Sequence, residues 1–169
     1  MTIATSGKEV LAQFFDEGAY TTLYADAQGA VTAAFGSANG EPVYAICQNG
    51  AALAAKDTQK AVKVMKMAAK TGNPVVTFYN SIGAKLEEGL EALSASANMA
   101  AAVSRLSGVV PQITVVTGVC GAGAALAAAG ADICIMSKEG ELFLTAPFTS
   151  AAKGDKVLGA GSAEYAAKA

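Results

Sequence analysis

The most informative feature of this sequence is an absence, because none of its 169 residues is histidine. Histidine is the side chain that most often serves as a metal ligand and as a general acid or base near neutral pH. Its absence excludes imidazole-ligated metal sites, Ser-His-Asp triads and histidine acid–base catalysis within this chain. Any catalysis must therefore use carboxylates, lysines, backbone dipoles or a bound cofactor.

Cysteine is also scarce. Cys47, Cys120 and Cys134 form no C-x-x-C pair, so in the absence of histidine we expect no metal site. Two of the three lie in apolar, strand-like runs. This placement is typical of buried thiols in a reducing cytoplasm, and we interpret the three cysteines in that way.

Charges and long apolar runs are few. Charged residues make up 15% of the chain, the net charge is −2 and there is no basic run, so nucleic acid is not an expected partner. The longest uncharged apolar stretch, residues 119–131, is far shorter than the roughly 20 residues that a membrane-spanning helix needs. The amino-terminal stretch MTIATSGKEV lacks the apolar core of a secretory signal. With 53% hydrophobic residues, we expect one globular, cytoplasmic domain.

The hydrophobic pattern alternates between strand-like and helical segments. A helix, a break at Gly18 and a second helical turn are predicted over residues 7–24. The first half continues with strands 31–35 and 42–48 joined by a hairpin at Asn39-Gly40, a helix capped by Asp57 that ends at Gly72, and a strand at 75–79. The second half begins with a long helix in which Leu86, Leu90, Leu93 and Ala97 recur. It continues with a strand at 113–117, a helix entered through the glycines of 118–130, strands at 133–136 and 141–146, and a last helix opened by Gly161-Ser162. Such alternation predicts an α/β fold with a largely parallel sheet covered on both faces.

Two loops of small residues follow predicted parallel strands, where open α/β sheets place their ligands. The first is NSIGAKLEEG (80–89), and the second is GVCGAGAA (118–125). Each stands just ahead of a helix, so that free N–H groups and the positive end of the helix favour an anion or a developing oxyanion. Small residues at such turns also serve close helix–sheet packing, and the residues alone leave both interpretations open. Neither loop fits a P-loop, and GVCGAG is a poor dinucleotide fingerprint because no acidic strand end follows it.

Four motifs in the same order resemble those of the biotin-dependent carboxyltransferases of the propionyl-CoA, methylmalonyl-CoA and glutaconyl-CoA group, within the crotonase superfamily. FFDEGAYTTLY is similar to their D-E-G-S-F-x-E-L segment, and NSIGAKLEEG to D-S-G-G-A-R-x-x-E-G. SGVVPQITVVTGVCGAGAA resembles S-G-V-V-P-Q-I-S-V-x-x-G-x-C-A-G-G-A and is the most specific of the four. ELFLTAP resembles L-F-I-T-G-P, and the similarity extends from about residue 10 to about residue 150.

The resemblance implies a crotonase-like ββα superhelix, and we expect a single acyl-CoA-binding lobe over 1–169 with a helical leading segment (1–30) and a ββα core (31–169). It implies that two backbone amides hold the thioester carbonyl, one from Gly83 or Ala84 and one from Ala122 or Gly123. It also implies carboxyl transfer between biotin and the α-carbon of an acyl-CoA through an enolate, which demands no histidine.

The two loops also depart from the family pattern. Asn80, Ile82 and Lys85 stand where the family has Asp, Gly and Arg, and a lysine lacks the bidentate fork of arginine. Gly121-Ala122-Gly123 stands where Ala-Gly-Gly is typical. An alanine at residue 122 keeps its N–H but disfavours a positive φ.

Further acyl-CoA contacts are expected from Lys56, Lys60, Ser81, Ile82 and Gly121. The stripe formed by Lys63, Lys66 and Lys70 on the helix over 57–71 can meet CoA phosphates or simply be a solvated face. Cys120 is interpreted as a small buried hydrophobe rather than a nucleophile.

The function that these motifs predict is an acyl-CoA-binding carboxyltransferase lobe. Its expected partners are a biotin-binding lobe and a biotinylated carrier protein, and we expect it to form homo- or hetero-oligomers. A second hypothesis is a self-sufficient crotonase-like decarboxylase, hydrolase or isomerase that uses Glu87 or Glu88. A third is a non-catalytic assembly subunit in which Ile82 and Ala122 have disabled the site.

Overall fold

A computed structural model describes residues 6–25, 29–145 and 161–168. The helices are α1 (Gly7–Phe14), α2 (Ala55–Thr71), α3 (Leu90–Leu106), α4 (Gly123–Ala129) and α5 (Ala163–Ala166), with a 3₁₀ turn at Leu86–Glu88. The strands are β1 (Tyr20–Leu23), β2 (Val31–Ala38), β3 (Glu41–Gln48), β4 (Val75–Tyr79), β5 (Gln112–Val116), β6 (Val119–Gly121), β7 (Ile133–Met136) and β8 (Glu141–Phe143).

A six-stranded sheet in the order β1-β2-β3-β4-β5-β7 forms the centre of the fold. Strands β1, β2 and β3 are antiparallel, whereas β3, β4, β5 and β7 run parallel. Helices α2, α3 and α4 cover one face and α1 covers the other, each over its own apolar cluster. The prediction of a largely parallel sheet is therefore confirmed, whereas the predicted cover on both faces is only partial in the described part of the chain. Helix α1 covers the second face at β2, β3 and β4, and Ile133 and Ile135 of β7 are 53% and 51% exposed.

The predicted hairpin joins β2 to β3. Asn39 and Gly40 both have positive φ, at 52° and 81°, as a two-residue hairpin turn that follows the twist of its strands requires. The carboxylate of Asp16 accepts hydrogen bonds from both of their N–H groups and from Ser37 Oγ. These bonds, that from Ser37 above all, lower the pKa of Asp16.

Two local predictions are wrong. Residues 20–23 form a strand rather than a helical turn, because this β-branched and aromatic segment pairs with β2 along its whole length. Asp57 is not the N-cap of α2, a position that Ala54 occupies. The carboxylate of Asp57 instead reaches back to accept hydrogen bonds from the N–H of Ala54 (3.0 Å) and of Ala30 (3.1 Å). It thereby ties the start of the helix to the segment that precedes β2.

Helices α2 and α3 use their apolar residues differently. On α2 the predicted apolar face is buried at Ala61, Val64, Met65 and Ala68, and its lysines 63, 66 and 70 are exposed. Helix α3 instead buries a face that includes Ala92, Ala95, Met99 and Val103, since small side chains let helices approach closely. The predicted leucine stripe is not that face: Leu86, Leu90 and Leu93 are 88%, 83% and 66% exposed.

The cysteine prediction holds for two of the three residues. Cys47 and Cys120 are buried. Cys134 is exposed, because it lies on β7, the last strand of the sheet.

Candidate active site

Both predicted loops open into one pocket of about 90 Å³ at the carboxyl ends of the parallel strands. The first loop, residues 80–85 after β4, contributes Gly83 and Ala84, and the second loop, residues 118–123 before α4, contributes Gly121, Ala122 and Gly123. The start of α2 and the middle of α3 complete the wall with Leu53, Ala55, Thr58, Ala92, Ala95, Ser96 and Ala124. We call this space the oxyanion pocket.

Side chains and backbone bridges hold the first loop. Ser81 is buried, and its Oγ donates to Ala51 O (2.9 Å) and accepts a hydrogen bond from Gly83 N–H (3.1 Å). Leu53 N–H donates to Gly83 O, and Lys85 N–H donates to Leu53 O, so the loop is laid along the segment before α2. Gly83 itself has a φ of 110° that favours glycine.

The two candidate donors of the first loop differ in availability. The N–H of Gly83 is engaged by Ser81 Oγ. The N–H of Ala84 donates to no acceptor in the part of the chain that the structure describes. Of the two, Ala84 is therefore the amide available to a ligand.

In the second loop, too, one of the two candidate N–H groups is engaged and the other is unpaired. Ala122 is the N-cap of α4, with φ 54° and ψ −126°, and its N–H donates to Phe143 O at 3.0 Å. Gly123 is the first residue of α4, and its N–H has no acceptor among residues 6–25, 29–145 and 161–168. The first amides of a helix are left unpaired by the helix itself, so Gly123 is the available donor here.

Two unpaired N–H groups from different loops thus line one small pocket. Preorganised N–H donors of this kind stabilise an oxygen on which negative charge develops, and removing one from a working oxyanion hole costs about 2.7–4 kcal/mol of barrier. Sequence reasoning left two candidates in each loop, and the tertiary hydrogen bonds of Gly83 and Ala122 separate them.

A second cavity of about 30 Å³ lies beside the oxyanion pocket and shares Leu53, Thr58, Ser96, Gly123 and Ala124 with it. Its other lining residues are Val31, Gln48, Ala61, Tyr79 and Met99. We call it the inner cavity. Gln48 belongs to none of the motifs considered above, although a polar residue that ends an apolar strand at a ligand-binding sheet edge is a usable signal.

The other predicted contacts are scattered. Gly121 lines the oxyanion pocket, and a Cβ there would lie 2.6 Å from the ring of Phe143. Ile82 is 74% exposed, and Lys56 is exposed at the start of α2. Lys60 is buried, its Nζ donates to Val31 O at 2.8 Å, and desolvation lowers its pKa. The ammonium group of Lys60 therefore faces the protein interior.

The carboxylates next to the first loop have different positions. Glu88 Oε2 accepts a hydrogen bond from Ala55 N–H at 2.6 Å, which joins the 3₁₀ turn to the start of α2. Glu87 is exposed. Glu88 thus has a structural role, and neither residue lines the oxyanion pocket.

The thiol of Cys120, which lies within the second loop on the short strand β6, is not activated. Burial, with a smaller contribution from Cys134, raises the pKa of Cys120 to about 12. A thiol with this pKa is a poor nucleophile at neutral pH, in agreement with the interpretation of Cys120 as a buried hydrophobe.

Two other kinds of feature are absent from the described ranges. No group of three or more cysteine, aspartate or glutamate residues there could hold a metal ion. Within the same ranges, none of the helices combines the length and the apolarity that crossing a membrane requires.

Comparison with known proteins identifies relatives along nearly the whole chain. A family model described as the carboxyl transferase domain matches residues 6–165. The methylmalonyl-CoA carboxyltransferase 12S subunit of Propionibacterium freudenreichii subsp. shermanii is 38% identical over 148 residues, which cover 79% of this chain and 28% of that protein. The propionyl-CoA carboxylase beta chain of Rhodococcus erythropolis is 37% identical over 141 residues, covering 81% of this chain and 30% of the relative. The chain therefore spans less than a third of the length of these two relatives.

Solved structures of carboxylases and of a transcarboxylase match the fold of this chain. The crystal structure of transcarboxylase 12S, a hexamer assembly with hydrolysed methylmalonyl-coenzyme A bound, matches with a TM-score of 0.86 at 31% identity, covering 94% of this chain and 35% of that one. The geranyl-CoA carboxylase beta subunit of P. aeruginosa matches with a TM-score of 0.83 at 27% identity, covering 95% of this chain and 33% of that one. The predicted crotonase-like α/β fold is therefore confirmed.

Proposed function

The chain belongs to the carboxyl transferase domain family, and from this premise we propose that it is the acyl-CoA-binding part of a biotin-dependent carboxyltransferase or decarboxylase. In this proposal the chain binds the thioester of an acyl-CoA and stabilises the enolate form of the acyl group. Residues 1–169 would act as one lobe, with residues 1–30 leading into a ββα core over 31–169.

The observation that carries the proposal is the pair of unpaired amides in the oxyanion pocket. A thioester oxygen bound there would accept hydrogen bonds from Ala84 N–H and Gly123 N–H, one from each loop. As a proton or a carboxyl group leaves the α-carbon, negative charge moves onto that oxygen. The hydrogen bonds that it accepts from both amides then become stronger. Neither step needs a histidine.

The other parts of the reaction are assigned to partners. Biotin on a carrier protein would supply the donor or acceptor of the carboxyl group. Since this chain spans less than a third of its curated relatives, we assign biotin binding to a second lobe, in this or another polypeptide. The matched 12S structure is a hexamer assembly, which supports self-association here too. A cytoplasmic location stays a prediction.

The direct test is binding of an acyl-CoA with and without its carbonyl oxygen. Isothermal titration would compare propionyl-CoA with its thioether analogue, in which a CH₂ group replaces the carbonyl. We expect the thioester to bind more tightly, because only it can accept hydrogen bonds from the two amides. Absence of binding by the folded protein together with its partner lobe would overturn the proposal and favour a non-catalytic assembly role.

The stand-alone crotonase-like enzyme makes a different prediction. It requires turnover of an acyl-CoA without biotin and loss of that turnover in Glu87→Gln or Glu88→Gln. Glu88 accepts a hydrogen bond from Ala55 N–H, so its variant separates the two hypotheses. If Glu88 is only structural, the wild type has no biotin-independent activity and Glu88→Gln lowers the stability of the protein.

A further inference from the structure

Exposed apolar side chains cluster beside the oxyanion pocket. Ile82 directly precedes Gly83, which lines that pocket, and is 74% exposed. Leu86 on the 3₁₀ turn, Leu90 and Leu93 on α3, and Leu126 on α4 are also more than half exposed. Exposed leucines that stand alone are common on protein surfaces, whereas a contiguous apolar patch marks an interaction site. We call these five side chains the apolar patch.

On α3 the patch lies on the side of the helix that faces away from the core. Leu90, Leu93 and Ala97 recur at intervals of three and four residues and are all exposed, so they share one side of the helix. The buried side, which includes Ala95 and Met99, is the opposite one. The core of this chain therefore leaves the outer leucines of α3 unused.

Helix α4 extends the patch sideways, because it packs along α3. A Cβ on Gly123, at the start of α4, would lie 3.1 Å from Ser96 Cβ. A Cβ on Gly130, just after its end, would lie 3.1 Å from Val103 Cγ1. Leu126 lies between these two contacts along α4 and is 57% exposed. The outer surfaces of the two helices therefore form one continuous apolar area.

The charged residues of α3 lie away from the patch. Helix α3 contains two of them, Glu91 and Arg105. Arg105 and Asn98 line a groove between α2 and α3, and Glu91, seven residues before Asn98, lies on the same side of the helix. Helix α4 has no charged residue. The outer face of α2 differs, since it carries exposed lysines such as Lys63 and Lys66.

This distribution of charge suits a second copy of the same chain. In a two-fold contact the same surface lies on both sides, so a charge near its centre would meet a like charge. The apolar patch avoids that repulsion, whereas the lysine-bearing face of α2 would not. At the edge of the patch, Lys85 and Glu87 are exposed on either side of Leu86 and have opposite signs. They give the patch a polar rim of mixed sign, as protein interfaces commonly have.

We propose that two copies of this chain associate through the apolar patch about a two-fold axis. Each oxyanion pocket then lies beside the neighbouring copy, and biotin reaches the α-carbon of the acyl group through the cleft between the two copies. This inference deepens the proposed function, on which it rests for the role of the pocket. It assigns a surface to the self-association proposed there.

Sedimentation velocity of the full chain at micromolar concentrations measures this association, and the wild type should sediment as a dimer. The double variant Leu90→Glu/Leu93→Glu places carboxylates from both copies in the apolar contact. Its dimer dissociation constant should be about 100-fold or more above that of the wild type. Leu126→Glu tests α4 separately and should raise the constant about tenfold or more. All three leucines are exposed on the single chain, so circular dichroism should show an unchanged fold.

Val109→Glu is the matched control, because Val109 is 57% exposed in the turn after α3 and lies outside the patch. It makes the same exchange of an exposed apolar side chain for a carboxylate and should leave the dissociation constant unchanged. Ile135→Glu examines the other exposed apolar surface, on β7, where the side chain is 51% exposed. This variant should also remain a dimer.

A monomeric wild type would overturn the inference and indicate that a different polypeptide covers the patch. A dimer that persists in both leucine variants, or that Ile135→Glu dissociates in their place, would refute it as well. Titration of the same samples with propionyl-CoA keeps the proposed function separate. A dimer that binds no acyl-CoA even with its partner lobe would contradict the proposed function and leave the interface in place.

Discussion

The two loops of the oxyanion pocket are held in place by different means. The first loop depends on side chains: Ser81 Oγ bonds Ala51 O and Gly83 N–H, and Gln48 Oε1 accepts from Asn80 N–H. The second loop has a strained backbone at Ala122 and is packed so closely at Gly118 that a side chain would not fit there. Ala122 has φ 54°, and a Cβ on Gly118 would lie 2.3 Å from Asn80 Oδ1. Polar substitutions should therefore perturb the first loop, and conformational ones the second.

A third turn provides an internal reference for the strain. Gly89 precedes α3 with φ 52° and ψ −120°, nearly the dihedral angles of Ala122 before α4. Glycine adopts this conformation freely, and an L-residue with a Cβ does not. The two helices thus begin from the same backbone conformation. The Cβ of Ala122 makes this conformation unfavourable before α4, whereas Gly89 adopts it without strain before α3.

The largest expected effect comes from deleting one amide of the second loop. Proline is tolerated at the first position of a helix and has no N–H, so Gly123→Pro should remove the donor and leave α4 in place. A Cβ at residue 123 would lie 3.1 Å from Ser96 Cβ, so Gly123→Ala, which adds this Cβ and keeps the N–H, measures the effect of that contact alone. We expect the rate of carboxyl transfer by the assembled complex to fall about 100-fold or more. The shift of the thioester C=O stretch on binding, measured by Raman difference spectroscopy, should decrease in parallel.

Leu90→Pro is the control for this variant. Leu90 is the first residue of α3, follows Gly89 and is 83% exposed, so its proline lies in an equivalent backbone position outside the pocket. It should keep the wild-type rate. An unchanged rate and C=O shift in Gly123→Pro would contradict the assignment of Gly123 as a donor.

The next effect concerns the side chain that holds the first loop. Ser81→Ala removes the acceptor of Gly83 N–H and the donor to Ala51 O inside the protein. We expect the free energy of unfolding in urea to fall by about 1–3 kcal/mol, the cost of leaving buried groups unpaired. Ser94→Ala, at an exposed position of α3, should change it by less than about 0.5 kcal/mol. Equal changes in the two variants would mean that Ser81 does not hold the loop.

A smaller effect, opposite in sign, is expected at Ala122. Ala122→Gly should raise the free energy of unfolding by about 1 kcal/mol, because relief of the positive φ exceeds the added entropy of an unfolded glycine. Gly89→Ala, where a Cβ would meet nothing within 4 Å, should lower it by about 1–3 kcal/mol. Urea denaturation measures both.

Ala97→Gly provides the reference for an ordinary exchange, since Ala97 is exposed inside α3. The free energy of unfolding of Ala97→Gly should be about 1 kcal/mol lower than that of the wild type. If Ala122→Gly also lost stability, the strain assigned to the second loop would be refuted.

The smallest effect is a difference in thiol reactivity. Cys120 lies in β6 within the second loop, and burial above all raises its pKa to about 12. At pH 8 a thiol reagent should therefore label the exposed Cys134 before Cys120 and Cys47, both of which are buried. Mass spectrometry of the labelled peptides measures the order. Rapid labelling of Cys120 would show that the second loop opens readily and that its buried position does not protect the thiol.

Much of the framework could be predicted from the sequence. The Asn39-Gly40 hairpin, the parallel strands, the end of α2 at Gly72 and the serine cap of the last helix all depend on local residue preferences. The segment at residues 20–23 is an exception, because its strand exists only through pairing with β2.

The leucine stripe ahead of and within α3 shows a second limit. Leu86, Leu90 and Leu93 recur at helical spacing, yet the fold buries the alanine face of α3 instead. Periodicity identifies an apolar face but not what lies opposite it. The choice depended on α2 and α4, which pack against the small side chains of α3 in the same apolar cluster.

The sequence by itself determined most of the elements, the absence of histidine chemistry and the two loops of small residues, because these follow from residue types and short-range spacing. The tertiary structure decided which amides are available. Gly83 N–H is occupied by Ser81, Ala122 N–H by Phe143 and the carboxylate of Glu88 by Ala55, while Ala84 and Gly123 keep unpaired donors. Whether a donor is free depends on acceptors that the fold brings from distant parts of the chain, and local sequence does not encode their positions.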